Sequence, residues 1–191
     1  MVKTNSGSYW VIWANTNAKN SDKIDDLAEP FRTNVKAFIQ ALEDAGATVS
    51  VTATKRAAKR AYLFHWSWKI SLGKVKPSAT KPMAGVDIEW DHSDLKASKA
   101  GAKEMVHGFG LAIPPDSNVA PSLTSNHITG NAIDMDITWT GNIQVAKKDG
   151  KLVKVAYMTN PNVNGQLHTV GASYRVIKHM SDKPHWSYNG W

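Results

Sequence analysis

The chain has 191 residues, of which 42% are hydrophobic and 20% are charged, and it contains no cysteine. This length and composition are those of a globular protein, and exclude fibrous and wholly disordered classes. Without cysteine, the chain has no disulfides, thiolate metal sites or cysteine nucleophiles, so any metal ion must be held by His, Asp or Glu. We expect one domain over residues 1–191.

The formal net charge of +7 favours an anionic partner, such as a nucleic acid, an acidic lipid or a polymer of the bacterial envelope. The basic residues are dispersed, with modest clusters at 55–60 and 147–148. Because they form no dense stripe and accompany no nucleic-acid recognition motif, we expect no nucleic-acid partner. Residues 1–8 lack the apolar core of an export signal, and the apolar run at 9–13 is too short to span a membrane.

The chain is predicted to begin with a loose leader and a long amphipathic helix. Residues 1–23 form the predicted leader, with a strand over Tyr9–Trp13. An apolar stripe at helical spacing predicts a helix that starts near Leu27 and ends before Gly46. The members of this stripe are Phe31, Val35, Phe38, Ile39 and Leu42.

A strand and two more helices are predicted to follow. Apolar and polar residues alternate over 49–54, which indicates a half-buried strand. A second helix is predicted over 57–72. Residues 74–92 are rich in Pro and Gly and form a predicted connection, after which Ser93 is expected to cap a third helix that runs to about Phe109.

The C-terminal part of the chain is predicted to be rich in strands. Alternation over 132–139 indicates one strand, and the runs at 143–145 and 152–155 flank Asp149-Gly150, a strong hairpin signal. Residues 185–188 form the last predicted strand. Helices followed by antiparallel strands indicate an α+β fold, with helices packed on a mainly antiparallel sheet.

One stretch of the C-terminal part combines residues that can bind a metal ion. His127 and Asp134 lie seven residues apart, and Gly130 between them permits a sharp turn at low steric cost. Asp136 competes with Asp134, because residues two apart on a strand face the same side. Asp136 is then a strand residue or a group that orients a ligand.

A second imidazole, that of His185, lies downstream and follows Asp182 by three residues. Two imidazoles and one carboxylate form a common catalytic zinc set, which leaves the fourth position for water. Zinc lowers the pKa of this water to about 7, and a further carboxylate must then take its proton. Asp182 is placed for this role, because it is near His185 in the chain without being needed as a ligand.

These segments resemble the motifs of the D-alanyl-D-alanine carboxypeptidase-like zinc peptidases, which include phage endolysin peptidases. The stretch follows their signature S-x-H-x-x-G-x-A-x-D, and the matching residues are Ser125, His127, Gly130, Ala132 and Asp134. Asp182-x-x-His185-Trp186 resembles their closing motif, D/E-x-x-H. Residues 51–56 resemble the strand-ending segment whose Arg stabilises the oxyanion in this family.

The resemblance implies a fold like that of hedgehog domains and D,D-peptidases. It implies that Zn²⁺ is held by His127, Asp134 and His185, that Asp182 is the general base and acid, and that Arg56 is the electrophilic stabiliser. The implied substrate is the peptide part of peptidoglycan, cut by a carboxypeptidase or an endopeptidase. The enzyme is expected to act at the bacterial cell wall, released as a phage lysis protein or exported by another route.

The sequence departs from the family in the long interval between Arg56 and His127. We therefore predict an insertion over 64–122, whose tryptophans would shape a substrate groove; they are Trp66, Trp68 and Trp90. Arg60, one helical turn after Arg56, is an alternative stabiliser. Contacts with the substrate are assigned to Ser125, by a hydrogen bond, and to Trp186, whose competing role is packing.

A second function is consistent with the same motifs. A catalytically inactive member of the fold would keep zinc and bind cell-wall polymer without cutting it. The presence of Asp182 favours the peptidase, because a purely structural site has no use for a water-activating carboxylate. In having an Asp at this position, the chain resembles the L-alanyl-D-glutamate endopeptidases of phage lysins.

Overall fold

Residues 3–191, which the computed structural model describes, form five α-helices, eight short β-strands and three 3₁₀ turns. This combination confirms the predicted α+β class. The helices are α1 Ser8–Asn17, α2 Phe31–Asp44, α3 Ala58–Ser71, α4 Leu95–Gly108 and α5 Gly165–Ser173. The strands are β1 Thr4–Asn5, β2 Thr48–Ala53, β3 Ile88–Glu89, β4 Ala132–Thr138, β5 Ile143–Ala146, β6 Leu152–Val155, β7 Ile177–Lys178 and β8 His185–Ser187.

The described chain divides into two compact units, each assembled from two separate stretches. The first, which we call the helical unit, comprises residues 3–19 and 57–124. The second, which we call the sheet unit, comprises residues 20–56 and 125–191. The predicted insertion at 64–122 lies entirely inside the helical unit. Among the described residues, none of the helices combines the length and the apolar character needed to cross a membrane.

The helical unit packs α1, α3 and α4 around its own hydrophobic core, and β1 pairs with β3 in parallel. Its core is rich in large rings, and includes Trp10, Tyr62, Trp66, Trp90 and Met105. Trp66, Trp68 and Trp90 are all buried. Trp68 and Trp90 are enclosed in this unit, so the expectation that they shape a substrate groove is corrected. Trp66 lines an open cavity with Lys59 and Tyr62, and for this residue the groove stays a prediction.

Two predictions for this part of the chain are wrong. Tyr9–Trp13 belongs to helix α1 and not to a strand. Trp10 and Ala14, one turn apart, are both buried in the core of the helical unit, so packing overrides the strand preference of an aromatic and β-branched run. Helix α4 is capped by Asp94, whose carboxylate accepts hydrogen bonds from two backbone amides of the first turn, and not by Ser93.

The sheet unit has a four-stranded antiparallel sheet in the order β2-β4-β8-β7. Helix α2 is confirmed, and it starts directly after Pro30 and ends before Gly46, whose φ is +90°. Its predicted apolar stripe shares a core with β4 residues Ile133, Met135 and Ile137. The predicted hairpin is also confirmed, since β5 and β6 pair on either side of Asp149-Gly150.

The sheet register brings residues that are distant in sequence into one row. Ala53 of β2 pairs with Asp134 of β4, and Asp134 pairs with His185 of β8. Because directly opposed residues point to the same face of a sheet, the Asp134 and His185 side chains lie together. Ile133 and Trp186 form the next row and point to the buried face.

Candidate metal centre

Three side chains of the sheet unit converge on one point: those of His127, Asp134 and His185. Nε2 of His127 lies 3.2 Å from Oδ1 of Asp134 and 3.1 Å from Nδ1 of His185. Nδ1 of His185 lies 3.1 Å from the same carboxylate oxygen. The three atoms therefore form an almost equilateral triangle. Both imidazoles are buried, and Asp134 is half-buried.

The size of this triangle fits a tetrahedral metal ion. Metal–nitrogen and metal–oxygen distances of about 2.0–2.1 Å separate neighbouring ligand atoms in a tetrahedron by about 3.3 Å. The measured separations of 3.1–3.2 Å are close to this value. The three residues could thus hold a metal ion on one face and leave a fourth position open.

Hydrogen bonds from the far side of each ring orient the two imidazoles. Nδ1 of His127 lies 2.6 Å from the backbone carbonyl of Thr54, which directly follows β2. Nε2 of His185 lies 3.3 Å from the backbone carbonyl of Trp191. Since a carbonyl only accepts, each of these nitrogens carries a proton, and the opposite nitrogen is the one that would offer its lone pair to a bound metal ion.

The loop that carries His127 is shaped by its own backbone. The His127 amide donates to the Ser125 hydroxyl at 3.3 Å, and the Asn131 amide donates to the carbonyl of Asn126 at 2.9 Å. Gly130 has a φ of +73°, and its carbonyl accepts from the amide of Ala28 at 2.9 Å. The turn that Gly130 permits returns the chain directly into β4, which places Asp134 beside His127.

The Asp134 carboxylate is strongly stabilised in its charged form. In the absence of a metal ion, burial by itself would raise its pKa, but the hydrogen bonds and the electrostatic attraction that His127 and His185 provide outweigh burial and hold the pKa of Asp134 well below its usual range. The carboxylate is therefore ionised at neutral pH, as a metal ligand must be. Asp136 pairs with Ser50, is exposed, and is not part of the cluster, so the geometry selects Asp134.

Asp182 lies in a turn that leads directly to the second imidazole. The His185 amide donates to the Asp182 carbonyl at 3.2 Å, which closes a four-residue turn. The Asp182 side chain is exposed, so its carboxylate is accessible to solvent and to a substrate. Its role as a base stays a prediction.

The two arginines considered as stabilisers differ in their surroundings. The Arg56 amide donates to the His127 carbonyl at 3.0 Å, so the backbone of Arg56 is fixed to one of the three candidate metal ligands. The Arg60 guanidinium is held inside the helical unit, where it donates to the carbonyl of Ala18 at 2.8 Å and to the side chain of Asn15 at 2.6 Å. These bonds give the Arg60 side chain a structural role. The role of Arg56 as the stabiliser stays a prediction.

The two residues assigned to substrate contact, Ser125 and Trp186, differ in their surroundings. Ser125 is half-buried, and its hydroxyl accepts from the His127 amide, so it supports the loop of a proposed ligand. Trp186 is only 1% exposed and packs against Phe38 in the core. A side chain so enclosed has no surface for a substrate, and Trp186 is therefore corrected to a packing residue.

Sequence reasoning missed Lys178, the buried lysine at the end of β7. Its ammonium donates to two backbone carbonyls of the loop between β7 and β8, which carries Asp182, and to the carbonyl of His185, the first residue of β8. Burial lowers the pKa of Lys178, and the negative charges of Asp182 and Asp134 oppose this shift. The available signal was a lysine that directly follows the apolar pair Val176-Ile177.

Comparison with known proteins adds no family to this geometry. The chain matches no protein-family model and no curated protein.

Proposed function

We propose that the protein is a zinc-dependent peptidase that hydrolyses peptide bonds of bacterial peptidoglycan. The observation that carries the proposal is the triangle of His127, Asp134 and His185, whose ligand atoms lie 3.1–3.2 Å apart. These residues occur in the order and spacing of the motifs of D-alanyl-D-alanine carboxypeptidase-like zinc peptidases, which supports zinc as the ion and a peptide as the substrate.

The chain supplies the groups that such a hydrolysis needs. Zinc, when bound, would activate a water molecule and polarise the scissile carbonyl. The exposed Asp182 carboxylate would take the proton of the attacking water and pass it to the leaving amine. The Arg56 guanidinium would stabilise the negative charge that develops on the carbonyl oxygen. His127 and His185 remain neutral ligands, fixed by the carbonyls that accept from their distal nitrogens.

The charge of the chain supports a substrate in the bacterial envelope. A net charge of +7 attracts the protein to anionic cell-wall polymers and raises its local concentration near peptidoglycan. This attraction is screened by salt, so binding to isolated cell walls should weaken as ionic strength rises.

Mass spectrometry of digested peptidoglycan tests the proposal. Purified cell walls are incubated with the protein as isolated, with a chelator, and with the chelator followed by excess zinc. We expect new peptide fragments that disappear with the chelator and return with zinc, and their masses identify the bond. His185→Ala should abolish the fragments, whereas His107→Ala, at an exposed position of α4, should leave them unchanged.

Two results would contradict the proposal. Fragments that persist when zinc is removed would exclude a metal-dependent reaction. Unchanged peptidoglycan, from folded protein that contains zinc, would instead favour the inactive cell-wall binding module.

A further inference from the structure

Lys178 is a charged residue at a position where charged residues are rare. It lies at the end of β7, pairs with Trp186 of β8, and is only 5% exposed. It forms no ion pair with any of residues 3–191. A buried ammonium without hydrogen-bond partners would be strongly unfavourable, so its contacts must explain its presence.

All three ammonium protons of Lys178 have backbone partners. Nζ lies 2.6 Å from the carbonyl oxygen of His179, 2.5 Å from that of Asp182 and 3.2 Å from that of His185. Lysine has three donors and no acceptor, so these three bonds use its full capacity. Bonds from a charged donor are stronger than those between neutral groups.

The three carbonyls belong to one short loop, residues 179–184, and to the first residue of β8. Each of these oxygens also accepts a backbone N–H, from Asp182, His185 and His179 respectively. The ammonium adds a charged donor that joins all three carbonyls at a common point. The ammonium therefore occupies the place that a bound cation would have in a carbonyl cage. Without it, the loop keeps only these backbone hydrogen bonds and loses the group that links all three carbonyls.

This loop connects the proposed base to a proposed metal ligand. Asp182 lies in it, and His185 directly ends it, so both are displaced if it opens. We infer that Lys178 is a positioning residue, which holds the 179–184 loop so that His185 and Asp182 meet the metal centre together. The part of this inference that concerns Asp182 rests on the proposed peptidase function; the part that concerns His185 rests on metal binding alone.

Lys178→Met tests the inference, because Met keeps most of the length and apolar volume of Lys and removes the donors. Zinc affinity is measured by competition with a chromophoric chelator, at a temperature where circular dichroism shows the variant to be folded. Outer partners of metal ligands typically contribute about 10- to 100-fold to metal affinity or activity, and we expect a loss in this range. Lys154→Met, at an exposed position of β6, is the matched control and should bind zinc normally.

Chemical rescue separates positioning from a general loss of stability. The chain has no cysteine, so Lys178→Cys introduces the only thiol. Alkylation of this thiol with 2-bromoethylamine in denaturant, followed by refolding, restores an ammonium at nearly the length of lysine. We expect zinc affinity to return to within a few-fold of the native protein. Alkylation with iodoacetamide, which adds no charge, should not restore it.

Cobalt substitution gives a readout that a merely stabilising lysine would not change. The visible d–d spectrum of bound Co²⁺ reports the geometry of its ligands, and Lys178→Met should alter it if His185 is displaced. Unchanged zinc affinity and an unchanged cobalt spectrum in the folded variant would overturn the inference.

The same variant distinguishes this inference from the peptidase proposal. If the native protein cuts no peptidoglycan but Lys178→Met still loses zinc affinity, the peptidase proposal fails and the positioning of His185 stands. If the native protein is active and Lys178→Met retains both its kcat and its zinc affinity, the positioning role fails alone.

Discussion

Removal of the Asp182 carboxylate should reduce turnover and leave metal binding unchanged. Asn has nearly the same shape but cannot take a proton from water, so in the proposed mechanism Asp182→Asn removes general base and acid catalysis. This catalysis contributes typically 10²- to 10⁴-fold, and we expect kcat on a peptidoglycan peptide to fall by about this factor. The zinc content, measured by mass spectrometry of the native protein, should stay at one ion per chain.

The matched control for this prediction is Asp136→Asn. Asp136 is an exposed carboxylate on β4 and is not one of the three candidate ligands, so its neutralisation should change neither kcat nor zinc content. Full activity of Asp182→Asn would remove Asp182 from the mechanism. Loss of zinc in that variant would make it a ligand instead.

The depressed pKa of Asp134 predicts a defined dependence of stability on pH in the metal-free protein. Because the folded pKa lies below the unfolded one, the unfolded chain binds more protons in acid. The stabilisation is therefore complete above the ordinary Asp pKa of about 3.9, and is lost as the pH falls through the folded pKa. This stabilisation is measured from the unfolding free energies of the native chain and Asp134→Asn, obtained by urea unfolding in the presence of a chelator between pH 2 and 6.

In these experiments the difference in unfolding free energy between the two chains should shrink as the pH falls below about 4. A difference that stays constant over the whole pH range would show that the folded structure does not stabilise the charged form of Asp134.

The candidate ligands could be predicted from the sequence because each is a side chain with a distinctive chemistry in a recognisable spacing. His127, Asp134 and His185 are of this kind, and the structure brings all three together. Lys178 could not be predicted, because its partners are backbone carbonyls, which every residue possesses. The burial of Trp186 depends on the direction of its side chain on β8, which the motif alone does not specify.

At the scale of elements, the turn at Gly130 is the feature on which the His127 loop depends. Gly130→Ala introduces a side chain at a φ of +73°, which costs about 1–2 kcal/mol. Its Cβ would also lie 2.9 Å from the Ala28 amide nitrogen, whose hydrogen bond to Gly130 must shift. Loss of that bond would add about 1–3 kcal/mol. Denaturant unfolding measures the sum, and zinc affinity should fall with it.

Gly141→Ala is the matched control for this turn. Gly141 has a φ of +64° and nothing within 4 Å of an added Cβ, so only the conformational cost of about 1–2 kcal/mol applies. Equal destabilisation by the two variants would show that the contact between residues 28 and 130 does not hold the loop.

Helices and strands with a clear hydrophobic period could be predicted from the sequence. Short elements, and those with apolar residues on every side, could not. Helix α2 and strand β4 have strong helical and alternating patterns, and both are confirmed. Helix α1 has apolar residues on every side, so its sequence carries no helical period and resembles a strand. Helix α5 was missed; it has nine residues, and its start depends on the Asn164 side chain, which accepts from the Leu167 amide.

At the scale of the whole molecule, the division into two units could not be predicted from local signals. The helical unit combines residues 3–19 with residues 57–124, so its two parts are separated by a stretch of the sheet unit. A segment rich in Pro and Gly, residues 110–121, precedes only the last of the three boundaries, and no such segment marks the boundaries at 19–20 and 56–57. Each unit nevertheless has its own buried hydrophobic cluster.

This organisation predicts where zinc should stabilise the protein. All three candidate ligands belong to the sheet unit, so a bound ion opposes the opening of that unit and need not oppose the opening of the other. At a free zinc concentration of 100 times Kd, the stabilisation is about 2.7 kcal/mol, or about 100-fold in the opening equilibrium. Hydrogen exchange followed by mass spectrometry should therefore slow by up to this factor in β2, β4 and β8.

Helices α3 and α4 provide the internal control in the same exchange experiment, because they belong to the helical unit. Their exchange rates should be nearly the same with and without zinc. Equal slowing in α3, α4 and β4 would show that the two units open together as one cooperative structure. No slowing in β4 or β8, at a zinc concentration that saturates the protein, would contradict the assignment of the metal centre to these strands.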